Sequence, residues 1–182
     1  MSETDGGRSF AVREARADDT ERMAAAHAAA TVALGREAYD EAQVRAWARG
    51  RYEYPVGEDG VRLVVAVRER TESGANAPGE TYDEVLGFGE LHAEAGDYLD
   101  DAEGEVRAVY VHPAFARQGV GRALYADLER PARARGVDSL GLWASLNAAG
   151  FYERQGFERV AEHDLKFADG VAATVVEMRK SL

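Results

Sequence analysis

Residues 109–124 have the clearest chemical capacity in the chain, because they pass from an apolar strand through a glycine-containing turn into a helix. Gly119 and Gly121 leave no side chain between the backbone and a ligand, and the first amides of a helix have no carbonyl partner within it. Arg117 and Arg122 add full positive charges near the positive end of the helix dipole. This order of residues predicts a binding site for a pyrophosphate group.

Two common nucleotide-binding motifs do not describe this segment. A Walker A loop requires Lys followed by Ser or Thr after its last glycine, whereas Gly121 is followed by Arg122 and Ala123. A dinucleotide fingerprint requires glycine at position 124, where Leu124 stands, and a shorter connection from the strand. The predicted anion site therefore belongs to a different class.

A second segment, residues 147–157, follows a strand predicted from Ser139 to Ser145. Asn147 is a good helix N-cap, and Gly156 stands where a residue in the left-handed conformation commonly ends a helix. The sequence therefore predicts a short helix in this segment that carries Tyr152.

These two segments, in this order and separated by a helix and a strand, resemble motifs A and B of the GNAT superfamily of acyl-CoA N-acyltransferases. The resemblance is clear from about residue 62 to the end of the chain and holds only in outline before it. Motif A departs from the family pattern at one position, where Ala116 replaces the usual Arg or Gln. That contact to phosphate is either missing or supplied by Arg117.

The resemblance implies an α/β (α+β) fold, with a central mixed, mostly antiparallel sheet of about seven strands and flanking helices in the order β-α-α-β-β-β-α-β-α-β-β. Hydrophobic periodicity agrees with this order. Pro131 is expected to bend or end the helix of motif A. We expect a flexible tail at residues 1–8 and one domain over residues 9–182. The other predicted strands are 10–16, 62–69, 85–93, 105–112, 158–167 and 171–180, and a second helix after Asp40 covers 41–50.

By resemblance, acetyl-CoA is the co-substrate and lies between two strands that move apart. Its pantetheine arm pairs with the main chain of one strand as an added strand would, and its pyrophosphate lies on the glycine turn. The implied acetyl-CoA-binding residues are Val109, Tyr110, Val111, Ala116, Arg117, Gln118, Gly119, Val120, Gly121, Arg122, Asn147 and Tyr152.

An amine acceptor must lose a proton before it attacks a thioester, because a free alkylamine has a pKa of ~10.4. The family places a base at the position of Glu105 in several members, with Glu90 as the second candidate and solvent as the third. Tyr152 would give a proton to the leaving thiolate, or else only pack in the core. Asn147 would bind the pantetheine region or serve only as a cap. The resemblance also implies that the amide of Val109, or that of its neighbour, stabilises the oxyanion.

His27, Tyr39, Trp47 and Trp143 are candidates for the acceptor site, although such residues belong to the core more often than to a pocket. The chain has 4 histidines without ligand spacing and no cysteine, so we expect no metal. Without a cysteine nucleophile, acyl transfer would be direct, within a ternary complex.

Composition excludes several classes of protein. A formal net charge of −11, from 33 acidic and 22 basic residues, argues against nucleic acid as a partner. No apolar run approaches a membrane span, no secretory signal is evident, and the lack of cysteine suits a cytoplasmic location. The acidic residues are scattered, which is typical of a solvated surface, and a high-salt habitat is one hypothesis for their number.

The sequence therefore predicts an N-acetyltransferase that moves an acetyl group from acetyl-CoA to a primary amine. A small amine or amino-acid-like acceptor is the first choice, and a protein N-terminus or lysine is the second. A regulatory module that binds acyl-CoA without transfer is an alternative from another class, which the presence of both Tyr152 and Glu105 disfavours. Both a monomer and a homodimer are compatible with the sequence.

Overall fold

The computed structural model of the chain describes residues 9–49, 53–71, 81–99, 101–167 and 169–182. The predicted tail at residues 1–8 lies outside the described residues, as do residues 72–80 between the second and third strands. The strands are β1 (Ala11–Glu14), β2 (Val61–Thr71), β3 (Thr81–His92), β4 (Gly104–Val111), β5 (Ser139–Ser145), β6 (Glu158–Lys166) and β7 (Ala172–Ser181). The helices are α1 (Thr20–Gly35), α2 (Glu41–Ala48), α3 (Val120–Ala134) and α4 (Ala149–Glu153).

The strands form one seven-stranded sheet in the order β1-β2-β3-β4-β5-β7-β6. Every neighbouring pair is antiparallel except β4 and β5, which are parallel. The predicted fold class and order of elements are confirmed. The sheet is mixed because a helix, α3, connects β4 to β5, and such a crossover returns the chain in the same direction.

Helices cover both faces of the sheet. On one face, α3 places Val120, Leu124 and Leu128 in a core with β2 to β5 and β7. On the other face, Met23 of α1 packs in a second core that includes Phe88. Both cores are fully dry at their centres, since these five side chains are at most 1% exposed. No helix within the described residues is long and apolar enough to cross a membrane.

The most marked differences from the predicted boundaries are in β3 and α3. β3 begins at Thr81 rather than near Val85, because Asp83 and Glu84 continue the ladder with β2 and form ion pairs with arginines. Helix α3 continues three residues past Pro131 to Ala134. Proline leaves the carbonyl of Asp127 without its helical donor, and Arg62 Nε donates to that oxygen at 3.2 Å.

Strands β4 and β5 pair only at their beginnings. Their ladder joins Gly104 to Leu140 and Glu105 to Gly141, and no further rung joins the two strands within the described residues. Beyond these rungs, β4 remains paired with β3 as far as Val111, while β5 remains paired with β7 as far as Ser145. The sheet therefore opens into a wedge at its centre, as the resemblance implies.

A glycine fixes how closely β3 approaches the open part of β4. A Cβ atom placed on Gly87 would lie 2.4 Å from the carbonyl oxygen of Tyr110 and 3.0 Å from the Cα of Val111. Both neighbours are backbone atoms, so no side-chain rotation can relieve the contact. Any larger residue at position 87 must displace β4 on one side of the wedge.

We expect Gly87→Ala to lower the free energy of unfolding by about 1–3 kcal/mol, because it overpacks a closely fitted ladder. Gly150→Ala is the matched control, since its Cβ would meet nothing nearer than 3.6 Å and alanine favours a helix. Urea denaturation of both variants measures the effect. Equal stability of the two variants would contradict the close approach of β3 and β4.

Candidate functional site

Two cavities meet in the wedge between β4 and β5. The smaller has a volume of about 120 Å³ and the larger about 1430 Å³. They share five lining residues, namely Val109, Val111, Asn147, Ala148 and Tyr152. A molecule that spans both cavities must therefore pass the end of β4 and the start of α4.

The glycine turn of the larger cavity leads directly into α3. Gly119 is the N-cap of α3 and has a φ of 83°, in the left-handed region that favours glycine. Arg117 has a φ of 64°, which is uncommon for a residue with a side chain. Gly121 lines the cavity, and a Cβ there would contact Phe151 and Val111 at 3.4 and 3.5 Å. The turn thus directs the first amides of a 15-residue helix at the cavity.

Positive charge is concentrated around this turn. Arg117, Arg122 and Arg154 line the larger cavity, and none of the three pairs with a carboxylate within the described ranges. In a chain with a net charge of −11, most other arginines have acidic partners. Sequence analysis missed Arg154, although it stands two residues after Tyr152 on the predicted helix. Three uncompensated guanidinium groups form a site for a multiply charged anion.

Lys180 of β7 lies between two walls of the larger cavity. Its Nζ donates to Glu129 Oε2 at 2.6 Å, to the Gln155 carbonyl oxygen at 2.6 Å and to the Tyr125 hydroxyl at 3.2 Å. All three N–H bonds of the ammonium group are used by acceptors on α3 and after α4. Lys180 thus holds the cavity walls together and is not a free charge for a ligand.

Aromatic side chains form most of the wall of the smaller cavity. Tyr39, Trp47, Tyr110 and Trp143 line it. The Trp47 ring lies 5.5 Å from that of Tyr39, and its Nε1 donates to the Tyr110 hydroxyl at 3.2 Å. Trp143 stacks on His163 with ring centroids 4.9 Å apart. Three of the four predicted acceptor-site residues are therefore in one cavity.

Tyr39 attaches the α1–α2 connection to the far side of the wedge. Its hydroxyl donates to the carbonyl oxygen of Thr174 at 2.7 Å and accepts from the Leu146 amide at 2.8 Å. Gln43 reinforces this attachment, because its Nε2 donates to the Ala172 carbonyl oxygen at 2.8 Å. These bonds hold α1 and α2 over the smaller cavity as a fixed cover.

Tyr152 lies at the junction of the two cavities and is 6% exposed. Burial, with a smaller effect of the nearby Tyr110, raises the pKa of its phenol above the ordinary value. The group therefore keeps its proton at neutral pH. A protonated phenol at this place can donate to a ligand that extends from one cavity to the other.

Glu105 is buried and its carboxylate is fully engaged. It accepts from the Tyr98 hydroxyl, from the Gly96 amide at 3.3 Å and from Arg107 Nε at 3.2 Å. It does not line either cavity. These contacts suit a carboxylate that orients Arg107, which lines the smaller cavity.

Glu90 is 3% exposed and keeps one oxygen available. Its Oε1 lies 2.5 Å from His92 Nε2, and its Oε2 has no hydrogen-bond partner within the described residues. Glu90 is opposite Ala108 in the β3–β4 ladder, so the two side chains project from the same face of the sheet. Ala108 lines the smaller cavity, so Glu90 lies one strand away from that lining on the same face of the sheet.

Three other predicted site residues are Asn147, His27 and Gln118. Asn147 is not the N-cap of α4, because that position is occupied by Ala148 and the helix begins one residue later than Asn147 would start it. Asn147 is instead exposed at the junction of the cavities. His27 is 4% exposed and packs edge-on against Tyr110 at 4.5 Å, outside the cavity lining. Gln118 turns away from the larger cavity and donates to the Ala114 carbonyl oxygen.

The remaining predicted acetyl-CoA-binding residues divide between the two cavities. Tyr110 lines only the smaller one, and Ala116 and Val120 line the larger. Among the described residues, no group of three or more His, Asp and Glu side chains is placed to hold a metal ion.

Comparison with known proteins gives a consistent result. The family model for the acetyltransferase (GNAT) domain matches residues 59–159. That range includes the wedge, the glycine turn, Arg107 and Tyr152. A search of curated protein sequences gave no significant match.

Solved structures share the fold over nearly the whole chain. A GCN5-related N-acetyltransferase from Rhodopseudomonas palustris is 24% identical, with a TM-score of 0.71 over 96% of this chain and 97% of that one. The PaiA N-acetyltransferase from Thermoplasma acidophilum, solved with coenzyme A, is 16% identical, with a TM-score of 0.66 over 96% and 100%. A ribosomal-protein-alanine N-acetyltransferase from Brucella melitensis is 22% identical, with a TM-score of 0.59 over 94% and 99%.

The raised pKa of Tyr152 has a measurable consequence for stability. The unfolded chain ionises its tyrosines near pH ~10, before the buried phenol does, so stability falls as the pH rises above that value. We expect Tyr152→Phe to make this loss less steep and to remove a late step from the ultraviolet titration of tyrosinate. Tyr82→Phe, at a residue that is 39% exposed, is the control. Loss of an ordinary step near pH ~10 in Tyr152→Phe, as in the control, would show that the phenol ionises normally.

Proposed function

The chain belongs to the GNAT acetyltransferase family, and from this premise we propose that it transfers the acetyl group of acetyl-CoA to the primary amine of a small molecule. The observation that carries this proposal is the position of Tyr152, a buried proton donor at the junction of the arginine-lined cavity and the smaller, aromatic one. The reaction would occur by direct attack in a ternary complex.

The larger cavity suits the charged part of acetyl-CoA. Pyrophosphate would bind to the amides at the start of α3, with Arg117 and Arg122 beside it and Arg154 facing them from α4. The pantetheine arm would lie along the unpaired edge of β4, where Val109 and Val111 have no partner strand on the β5 side among the described residues. Its amide groups would replace the missing β5 ladder, as in strand addition. Asn147 lines both cavities and would contact the arm where it passes between them.

The proposed transfer moves one acyl group and two protons. The neutral amine attacks the thioester carbonyl carbon, and the Val109 amide stabilises the oxyanion that forms. The carbon–sulfur bond then breaks, and the thiolate takes a proton from the Tyr152 phenol. The amine proton passes to a base, and solvent later returns a proton to Tyr152. The products are an N-acetylated amine and free coenzyme A.

Glu90 is the better candidate for that base. Glu105 already accepts three hydrogen bonds, whereas Oε2 of Glu90 is available and lies on the cavity side of the sheet. Because Glu90 does not line the cavity, one intervening water would carry the proton to it. His92, 18% exposed and hydrogen-bonded to Glu90, gives the proton a route onward to solvent.

The smaller cavity favours a small-molecule acceptor over a polypeptide. Its volume of about 120 Å³ is below the ~300 Å³ at which ligand pockets for drug-sized molecules begin. The cover formed by α1 and α2 is attached to β7 through Tyr39 and Gln43, so widening the cavity on that side to admit a polypeptide would break both attachments. The acceptor amine would therefore enter as a compact molecule.

We expect Gly121→Trp to abolish acetyl-CoA binding, measured by calorimetry, because the indole would fill the turn that receives the pyrophosphate. Ala161→Trp, at an exposed position of β6 outside the cavity lining, is the control for added bulk. Thiol release with a panel of amines is followed in the same samples. Binding by wild type without release would support a regulatory module instead, and no binding by folded wild type would contradict the proposal.

Substitutions of Glu90 and Glu105 distinguish which of the two carboxylates is the base. We expect Glu90→Gln to lower kcat about 100-fold or more, because an amide cannot accept the amine proton. Glu105→Gln should lower kcat much less and mainly reduce stability, because a buried acceptor of an arginine loses its charge. Tyr152→Phe should lower kcat with acetyl-CoA affinity retained. A wild-type kcat in Glu90→Gln would exclude Glu90 as the base.

A further inference from the structure

We propose that the acceptor is a free amino acid, or a closely related amino carboxylate, and that Arg107 binds its carboxylate. This inference rests on the proposed function, and it specifies the chemical class of the acceptor. Sequence analysis did not single out Arg107.

The first argument is the charge of the smaller cavity. Arg107 is the one charged residue among the described residues that line it, and no carboxylate lines it. The chain has 33 acidic and 22 basic residues, so its surface is negative on average, whereas the one charged side chain in this lining is positive. A diamine or polyamine would bring a second positive charge next to this guanidinium group, which disfavours it; the nearby carboxylates of Glu105 and Glu90 lie behind the lining, and Glu105 is already bound to Arg107. An acceptor with a negative group beside its amine is attracted.

The second argument is the way in which Arg107 is held. It lies at an irregularity of the β3–β4 ladder, where the partners of Glu90 and Leu91 are Ala108 and Val106 and Arg107 is left unpaired between them. Such a bulge redirects one side chain out of the regular alternation of the strand. Arg107 Nε then donates to Glu105, whose other contacts are the Tyr98 hydroxyl and the Gly96 amide. One buried carboxylate thus fixes the guanidinium group by its inner edge.

The outer edge of the same group is available to a ligand. The Arg107 side chain is 42% exposed, in contrast to 4% for the Glu105 side chain. A guanidinium group has five N–H donors in a planar fork, and its bond to Glu105 uses one of them. The fork matches the two oxygens of a carboxylate. Because Glu105 already offsets part of the charge, a monoanion fits this position better than a phosphate dianion.

Spacing along β4 agrees with an α-amino acid. Arg107 precedes Val109 by two residues, which separates their Cα atoms by about 6–7 Å along a strand. The carboxylate would bind at the Arg107 end, and the amine would face the thioester near Val109 and Tyr152. The aromatic wall formed by Tyr39, Trp47 and Trp143 would then contact the amino acid side chain, which we expect to be apolar or aromatic.

Two unsatisfied polar atoms in the wall are consistent with a polar ligand. Thr31 Oγ1 and Trp143 Nε1 are buried and have no hydrogen-bond partner among the described residues. Both belong to residues that line this cavity, and both can donate a hydrogen bond. A small adjustment of either side chain would let it serve a bound carboxylate.

The test compares acceptors that differ only in charge. Acetyl-CoA-dependent thiol release is measured with the common amino acids, with their carboxamides and methyl esters, with dipeptides, and with alkylamines, diamines and polyamines. We expect a subset of free amino acids to be the best acceptors. Loss of the carboxylate charge in the matching carboxamide should lower kcat/KM by about 10- to 100-fold, the range for a hydrogen bond to a charged group.

The protein side of the test uses Arg107→Gln and Arg107→Lys, with the exposed Arg135→Gln as the matched control. We expect Arg107→Gln to raise KM for the amino acid and to leave the calorimetric affinity for acetyl-CoA within about twofold of wild type. It should also abolish the preference for the acid over the carboxamide. Arg107→Lys should restore part of that preference. If Arg107→Gln fails to fold, Arg107→Lys and the comparison of acceptors remain decisive.

Each outcome has one meaning. Acids preferred over carboxamides, with the preference lost in Arg107→Gln, supports the inference. Equal use of acids and carboxamides, or better use of amines without an anionic group, overturns it and leaves the proposed transferase function standing. Acetyl-CoA binding without thiol release for any amine overturns the proposed function, and the present inference with it.

Discussion

The rest of the structure depends on an unfinished parallel ladder. Buried backbone N–H and carbonyl groups must be paired, yet β4 and β5 separate after two rungs, at Glu105 and Gly141. Each strand is held away from the other by a complete ladder on its outer side, with β3 and with β7. Tyr39 satisfies the amide of Leu146 just beyond the end of β5. The open edge of β4 is therefore a permanent feature of the fold, and a ligand with its own amide groups can complete it.

Charge is distributed unevenly around this opening, although the whole chain is strongly acidic. Many arginines are paired with nearby carboxylates, such as Arg13 with Asp19 and Asp83. The arginines at the glycine turn have no such partner among the described residues, and Arg107 is paired on one edge only. A negative surface with local positive sites directs anionic ligands to those sites, because elsewhere they are repelled.

Sequence patterns were sufficient for the elements and the glycine turn, since both depend on local interactions. The bounds of the strand Ser139–Ser145 were predicted correctly because turn residues flank it. The position of the turn at Gly119 was predicted correctly because few residues other than glycine adopt its φ. The passage of α3 through Pro131 required Arg62 of β2, which is distant in sequence. The availability of Glu90, the engagement of Glu105 and the exposure of Arg107 likewise depend on register between strands, and a bulge in that register has no local signature.

The hydrogen bonds of Lys180 affect how readily its amine would react with a thioester bound nearby. Thioesters acylate lysine side chains spontaneously, but only an amine with a free lone pair can attack. The chain contains two lysines, and the one that lines the larger cavity directs its three N–H bonds at three oxygen atoms. Arginine supplies nearly all other positive charge, and a guanidinium group does not lose its proton in proteins. A thioester bound in the larger cavity would therefore meet no free lysine amine among the described residues that line it.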